Sequence, residues 1–445
     1  MKYFKSKILL LFMGCLLFSG CSKNVETTED KQISSVRDTI TIAVFDKDTG
    51  RLRDIAVEFN DAHPEYEIEI WEYVGEEPED GVKRFQADIV SGNLPDIIDV
   101  GSLDVESYVK QGVLEELSVY FEQDEEIGRD DFFDNVINAY CFENGLYAVP
   151  TTFWISSMIG KTQDLNGITG WTFQEYQTYM DGLAHPQSVL DGSSRMNFFG
   201  GLMEQYGMSF IDMKSGTCSF ENNDFIALLN CSMQYPEKAG FTDKEQEIQM
   251  IQDEQISLLP VIINSPSSYL VYKTEFDDNF TFVGFPSQNG TGTKLVVFGA
   301  AYGISKNCKH KNVVWELFKK LITDEDIALN GFPTYQKNMD KAFEFISEGN
   351  YHLNDNGEKI QEPILKMPYG DAILDIYGAT AEDIDFLKNL ITNADAPNVR
   401  NMEIYSILLE EAETFFKSSK SAEEVAEIIQ RRIKLYLAEN GGDGE

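Results

Sequence analysis

Three short strand-like segments separated by two helical ones, all within residues 39–100, constrain the fold of this chain more than any other feature. Thr39-Ile-Thr-Ile-Ala-Val-Phe45 alternates with period two, Asp46 to Gly50 is a turn, and Leu52, Ile55, Ala56 and Phe59 recur at helical spacing. Tyr66-Glu-Ile-Glu-Ile-Trp71 is a second strand. An amphipathic stretch from Val82 to Val90 follows, then the loop Ser91-Gly-Asn-Leu-Pro-Asp96 and the short apolar strand Ile97-Ile-Asp-Val100. Parallel strands need a crossover between them, and here each crossover is a helix. The order therefore predicts an α/β, doubly wound, mostly parallel sheet. Ligands of such sheets sit beyond the carboxyl ends of the strands, which singles out two loops, Phe45 to Thr49 and Asp99 to Ser102.

A second strand-rich region runs from Ile256 to Val271 and from Thr281 to Ile304, followed by a helix over about Asn312 to Ile322. Near the end, Ser421-Ala-Glu-Glu424 has the form of a capping box ahead of Val425, Ile429, Ile433 and Leu437 at helical spacing. The length exceeds what one core usually supports, and 42% hydrophobic residues allow two lobes to pack.

The first 21 residues, MKYFKSKILLLFMGCLLFSGC, have a basic start at Lys2, Lys5 and Lys7, an apolar run from Ile8 to Phe18, and small residues before Cys21. The run is too short to span a bilayer. The segment resembles a bacterial lipoprotein signal ending in a lipidated cysteine, with one departure: Leu17 sits four residues before Cys21, and Phe18 stands where the family has Leu. Residues 1–20 are then a signal peptide, with an uncleaved anchor as the alternative. Polar residues 21–38 are a flexible tether. Either way the body of the chain is expected outside the cytoplasmic membrane, attached to it through an N-terminal lipid only.

Charge excludes several classes of partner. The whole chain carries 36 basic and 75 acidic residues, and without residues 1–20 the balance is 33 against 75. So acidic a chain repels polyanions, which argues against nucleic acid and against docking on anionic headgroups through a polybasic patch. Once Cys15 and Cys21 are set aside, Cys141, Cys218, Cys231 and Cys308 are sparse and irregularly spaced, as buried free thiols are. Catalytic signatures are missing: there is no HExxH, GxSxG or GxxxxGK[ST], and the four histidines are far apart in sequence. No cofactor or metal site is expected. The stretch His352-Leu-Asn-Asp-Asn-Gly357 has the acid-rich look of a calcium loop, but Pro363 stands where the loop's last acid belongs, so a hairpin turn is expected.

Several further segments share an order and spacing. They are Phe59-Asn60 with Pro64-x-Tyr66-x-Ile68, Ser91-Gly92-x-x-Pro95-Asp96, Gly112-x-Leu114-x-x-Leu117 and Gly145-Leu-Tyr-Ala-Val-Pro150. Gly170-Trp171-Thr172, Phe298-Gly-Ala-Ala-Tyr-Gly-Ile304 and Val314-Trp315-Glu316-Leu317-Phe318 complete the series. From about Thr39 to Glu439 the chain resembles the carbohydrate-type extracellular solute-binding proteins of bacterial ABC importers. The resemblance implies a periplasmic-binding-protein-like clamp of type II, two α/β lobes joined by crossovers. The crossovers would fall near Tyr147 to Thr152, Leu295 to Gly299 and Gly331 to Pro333. One lobe would then hold residues 39–150 plus 298–331, and the other residues 151–297 plus 332–440. Where many members have a Gly- or Met-rich strand facing the ligand, this chain has Leu258-Leu-Pro-Val-Ile-Ile-Asn-Ser-Pro-Ser-Ser-Tyr269, which predicts a reshaped loop.

The resemblance also implies a small-molecule solute, a sugar or oligosaccharide, handed by a monomer to the transmembrane subunits of an ABC permease without catalysis. Alternatives are a ligand-presenting sensor subunit and a glycan-degrading lipoprotein. Sugar binding calls for flat apolar faces against C–H groups, with carboxylates and amides for hydroxyls. Trp154, where the chain leaves the first crossover, is the leading stacking candidate, with core packing as its rival role. Asp46 is either a hydroxyl acceptor or a turn or cap residue, and Asp99 either points into the cleft or pairs internally. Tyr269, Tyr302 and Phe332 complete the candidate ligand-binding set. Trp171 and Trp315 are expected at a helix start and in a core, and Trp71 half-buried on a strand.

Overall fold

The computed structural model describes residues 37–440 apart from 47–48, 143–144, 184–193, 213–214, 239–249, 251–252, 254–256, 288–289, 291, 327–330, 355, 370–371 and 397–400. Cys21, the signal segment and nearly all of the tether lie outside the described residues.

The N-terminal alternation folds as its periodicity dictates. Strand β1 (Asp38–Val44), helix α1 (Gly50–Ala62), strand β2 (Tyr66–Glu72), helix α2 (Pro78–Ser91) and strand β3 (Ile97–Asp99) follow in order. Strand β1 pairs in parallel with β2 on one edge and β3 on the other. It is buried throughout from Ile40 to Val44, as an inner parallel strand covered on both faces must be. Leu52, Ile55, Ala56 and Phe59 are the buried stripe of α1.

The rest of the sheet is antiparallel. Strand β4 (Val149–Gly160) is its axis, and β5 (Leu258–Ile263) runs antiparallel to it. Helix α3 (Pro266–Glu275) follows, then β6 (Thr281–Phe282), which also pairs with β4. Strand β7 (Lys294–Ile304) lies antiparallel to both β4 and β3, helix α4 (Lys311–Thr323) packs behind it, and β8 (Phe332–Pro333) pairs with β4 on its other edge. The expectation that each lobe is a mostly parallel sheet therefore holds only for β2–β1–β3. The molecule is a two-lobed α/β fold on one large mixed sheet flanked by helices. The strands that meet β4 come from more than 90 residues downstream, beyond the reach of local βαβ units.

The segment Leu258 to Tyr269 is a strand–helix junction, not the reshaped loop expected. Pro260 lies opposite Met158 in β5, whose only described partner is β4, so its missing N–H faces an open edge. Ser265 caps α3 by accepting from the Ser268 N–H, and Pro266 takes the first helical position, where no N–H is needed.

Three hydrophobic clusters hold the fold. The first draws on residues from Ile40 to Val149 and from Ala301 to Tyr335. The second packs Met158 to Phe285 against helices α5 (Met402–Lys417) and α6 (Ala422–Asn440). The third lies on the other face of β4 and includes Phe153, Ile155, Ile159, Leu295, Phe332 and Ile391. In α6, Val425, Ile429 and Ile433 are fully buried, and Ser421 and Glu424 exchange the two hydrogen bonds of the expected capping box. Trp171 and Trp315 are core residues whose indole N–H groups donate to the Gly284 carbonyl and to Asp124, and Trp71 is half-buried. Cys141, Cys218, Cys231 and Cys308 are free thiols. The His352 stretch is a hairpin: Asn350–Leu353 pairs with Lys359–Glu362, and Gly357 takes a left-handed φ of 77° in its turn.

Candidate functional site

Side chains of β4 alternate between two environments. Phe153 and Ile155 are fully buried in the third cluster, whereas Trp154 points to the opposite face and is the one residue of the strand that is not buried. Residues directly opposite on antiparallel strands share a face, so the neighbours of Trp154 can be read from the register. Val296 lies opposite Trp154 and is half-buried, and the next pairs on that face are Ser156 with Lys294 and Ser156 with Ile262. Ile262 is 54% exposed, and Asn264, just past the last β5 pair, is exposed. An indole, two aliphatic side chains and an amide therefore line one open stretch of sheet. That is a flat apolar platform with a hydrogen-bonding edge.

The polar border of this platform is buried. Lys294 is 4% exposed, with its ammonium 5.7 Å from the Tyr206 ring centroid. Burial, reinforced by the Asp395 charge, pushes the Tyr206 phenol well above its ordinary pKa, so it is a neutral group near pH 7. The Asp395 backbone runs beside β7, accepting from the Leu295 N–H at 3.0 Å and donating to the Thr293 carbonyl at 2.9 Å. Sequence reading missed Val296, Ile262, Asn264, Lys294 and Tyr206. No local pattern marks them: the four on or beside strands share a face only through pairing across more than 100 residues, and Tyr206 reaches them from the helix Arg195–Tyr206 through Lys294.

The two loops singled out by the strand order meet at the carboxyl end of β3. Asp46 is exposed just past β1 and lies close enough to Asp99 for its charge to act on it. Asp99 pairs internally. One carboxylate oxygen accepts the Gly101 N–H at 3.0 Å and the Ala301 N–H at 3.1 Å. Desolvation is the largest influence on this carboxyl and pushes it up to about 6; the two N–H groups oppose the rise and Asp46 adds to it.

Three of the candidate aromatics are core residues. Tyr302 is 4% exposed within the first cluster, paired with Asp99 on one side and Val149 on the other. The register slips between Phe298 and Ala301, so the facing of β7 side chains changes there and alternation counted from the strand's start gives the wrong face. Tyr269 is 5% exposed on the inner face of α3, with its hydroxyl donating to Asp383 at 3.0 Å. Phe332 is fully buried and stacked on Phe153 with ring centroids 5.6 Å apart. Of the six candidates, Asp46 is exposed, Trp154 and Asp99 are half-buried, and Tyr269, Tyr302 and Phe332 are buried.

The fold is that of the two-lobed extracellular solute-binding proteins. Residues 44–176 match the family model described as bacterial extracellular solute-binding protein. No curated protein sequence matches it. Among solved structures, the sugar-binding protein MalE of the phytopathogen Xanthomonas citri is similar at 13% identity and a TM-score of 0.59, covering 90% of this chain and 98% of the other. A family 1 extracellular solute-binding protein of Alicyclobacillus acidocaldarius matches at 14% identity and a TM-score of 0.55, covering 90% and 98%. An ABC substrate-binding protein of Listeria monocytogenes, in complex with cycloalternan, matches at 15% and 0.54, covering 90% and 99%. At these identities the likeness is one of fold. The family is an extracellular one of binding proteins, and among the described residues no helix is long and apolar enough to cross a membrane.

Proposed function

We propose that this protein captures a sugar or oligosaccharide outside the cytoplasmic membrane and delivers it to an ABC permease, catalysing nothing itself. The observation that carries this reading is Trp154, half-buried on a sheet face with Val296, Ile262 and Asn264 while its sequence neighbours Phe153 and Ile155 are sealed in the core. A pyranose ring offers a C–H face to such an indole and hydroxyls to the amide beside it. The match of residues 44–176 to a solute-binding family supports the transport role, and the sugar-binding protein and the cycloalternan complex among its structural relatives support the solute class.

Residues 39–150 with 298–331 form one lobe in this reading, and residues 151–297 with 332–440 the other. The hydrophobic clusters support it: all but Tyr335 of the first lie in the first lobe, and all but Val136 of the second and third lie in the other. Cys21 carries the lipid that keeps the protein at the membrane. A thermal-shift screen over mono- and oligosaccharides tests the solute class, because a ligand bound only by the folded state raises Tm by mass action. A panel in which no sugar raises Tm at millimolar concentration overturns it. Mass spectrometry of the membrane-extracted protein tests the anchor, and an unmodified Cys21 removes it.

A further inference from the structure

The pairing of β5 with β4 ends at Ile263 opposite Ile155, so Asn264 arrives at the level of Trp154 one residue past the ladder. Val296 lies opposite Trp154 on the other neighbouring strand, and alternation puts the Asn264 side chain on the face of Ile262 and the indole. Asn264 is exposed, and its side-chain amide makes no hydrogen bond among the described residues, so its donor and its acceptor are both open to a hydroxyl. A residue beyond the end of a strand has lost the ladder that would hold it. Here its backbone is held instead by one side chain, that of Ser268 on α3.

The Ser268 hydroxyl accepts the Asn264 N–H at 3.1 Å and the Ser265 N–H at 3.1 Å, and it donates to the Ser265 carbonyl at 2.8 Å. A serine hydroxyl has one donor and two acceptor sites, so all three are engaged on these two residues. None is left for a solute, and Ser268 can act on the platform only through Asn264. Two further features stiffen the same turn. Pro266 confines the residue before it to extended backbone, and Ser265 has φ −159° and ψ 161°. Tyr269 fastens this end of α3 to Asp383 through the 3.0 Å hydrogen bond of its hydroxyl.

We propose that Ser268 is a positioning residue for solute capture: its hydroxyl holds the Asn264 backbone so that the amide stands at the edge of the Trp154 indole and meets the hydroxyls of a ring lying on it. The proposal rests on the solute-binding reading above. An amide carbonyl and NH2 side by side suit two neighbouring hydroxyls, one donating and one accepting. Fixing that amide before the solute arrives removes an ordering cost from the binding step.

Hydrogen exchange on the full chain without sugar tests the positioning alone. Ser268→Ala is expected to speed exchange of the Asn264 and Ser265 amides on the order of 10-fold, with exchange over Leu270 to Glu275 unmoved. Ser268→Thr keeps the hydroxyl and is expected to hold the wild-type rate, and Ser267→Ala, one residue away, to change nothing. Calorimetric titration with glucose, galactose, maltose and maltotriose tests the consequence. For each of these that binds wild type, Ser268→Ala is expected to weaken binding about 5- to 10-fold and Ser268→Thr to restore it. Asn264→Ala is expected to weaken binding as well, and adding Ser268→Ala to it to cost nothing further, because the positioned residue is gone.

Wild-type exchange at Asn264 and Ser265 in Ser268→Ala overturns the proposal, and so does a rise spread through all of α3, which marks an unravelled helix. A loss of affinity that adds to that of Asn264→Ala, or that threonine fails to restore, overturns it too. Exchange decides the tie between Ser268 and Asn264 whether or not a sugar binds, whereas a wild-type protein that binds no sugar counts against the solute-binding reading.

Discussion

Asp99 and Ala301 lie 202 residues apart in sequence and are joined by a 3.1 Å hydrogen bond, the backbone N–H of Ala301 donating to the carboxylate. The same oxygen accepts the Gly101 N–H, and the Val100 N–H donates to the Ala301 carbonyl, so the loop after β3 is stitched to β7 just past its register slip. The position 101 backbone admits no side chain there, because a β-carbon would approach the Gly299 carbonyl to 2.6 Å.

That carboxyl has a folded-state pKa near 6, above the ordinary 3.8, so the folded protein holds a proton on Asp99 more readily than the unfolded chain does. Its contribution to stability is full below about pH 4 and is lost as pH rises through about 6. Asp99→Asn keeps an acceptor for both N–H groups and removes the buried charge. The variant is expected to match or exceed wild-type stability at pH 7.5 by up to about 2–3 kcal/mol and to lose that advantage by pH 4. Urea melts of both proteins across pH 4–7.5 check it, and a difference that does not vary with pH counts against the assignment.

Trp154→Ala separates a ligand platform from a core residue. Loss of a stacking indole is expected to weaken binding of the sugar found by thermal shift by about 2–4 kcal/mol, or on the order of 30- to 1000-fold in Kd. Unfolding free energy is expected to fall by clearly less than the roughly 3–5 kcal/mol of a fully buried Trp→Ala change, because Trp154 is only half-buried. Calorimetric titration and denaturant melts of one preparation measure both. Unchanged affinity with a large stability loss would place Trp154 in the core.

Asp383 is a stability hub away from the site. Its carboxylate accepts from Tyr269 at 3.0 Å, Lys273 at 2.7 Å, and the Thr380 N–H and hydroxyl at 2.8 and 2.7 Å, tying α3 to the start of helix Ala381–Asn393. Burial alone would raise its pKa, but the hydrogen bonds, led by Lys273, outweigh it and hold the carboxyl below its ordinary value. The stabilisation is therefore present above about pH 4 and lost as pH falls through the depressed value. Asp383→Ala is expected to cost about 2–4 kcal/mol at pH 7, leaving Lys273 without its closest acid and the helix without its capping box. A loss below about 1 kcal/mol in urea melts would contradict this.

Gln430 on α6 is nearly buried, accepting the Phe220 N–H at 2.6 Å and donating to the Cys218 carbonyl at 2.7 Å. Gln430→Ala strands a donor and an acceptor, each worth about 1–3 kcal/mol when left unmet. A Tm drop of several degrees, with sugar affinity unchanged, is the expected result in thermal melts and titration. Wild-type Tm would mean that water replaces the amide.

What the sequence determined by itself is local. The order β1–α1–β2–α2–β3, the buried stripe of α1, the helix at α4 and the capping box of α6 follow from spacings and caps set within a few residues. Tertiary structure decided which aromatics are buried in a core and which lie on an open face. Tyr269 and Trp154 are both aromatics beside predicted strands or loops, yet one faces Asp383 and the other an open sheet face. That difference depends on whether Leu258 to Tyr269 forms a loop or a strand and helix, and on the phase of β4 against partners 140 residues away. Tyr302 shows the same limit, since one bulge near Gly299 resets which side of β7 looks inward. Long-range register fixes the face of every side chain on a strand, and the local sequence carries only the alternation, not its sign.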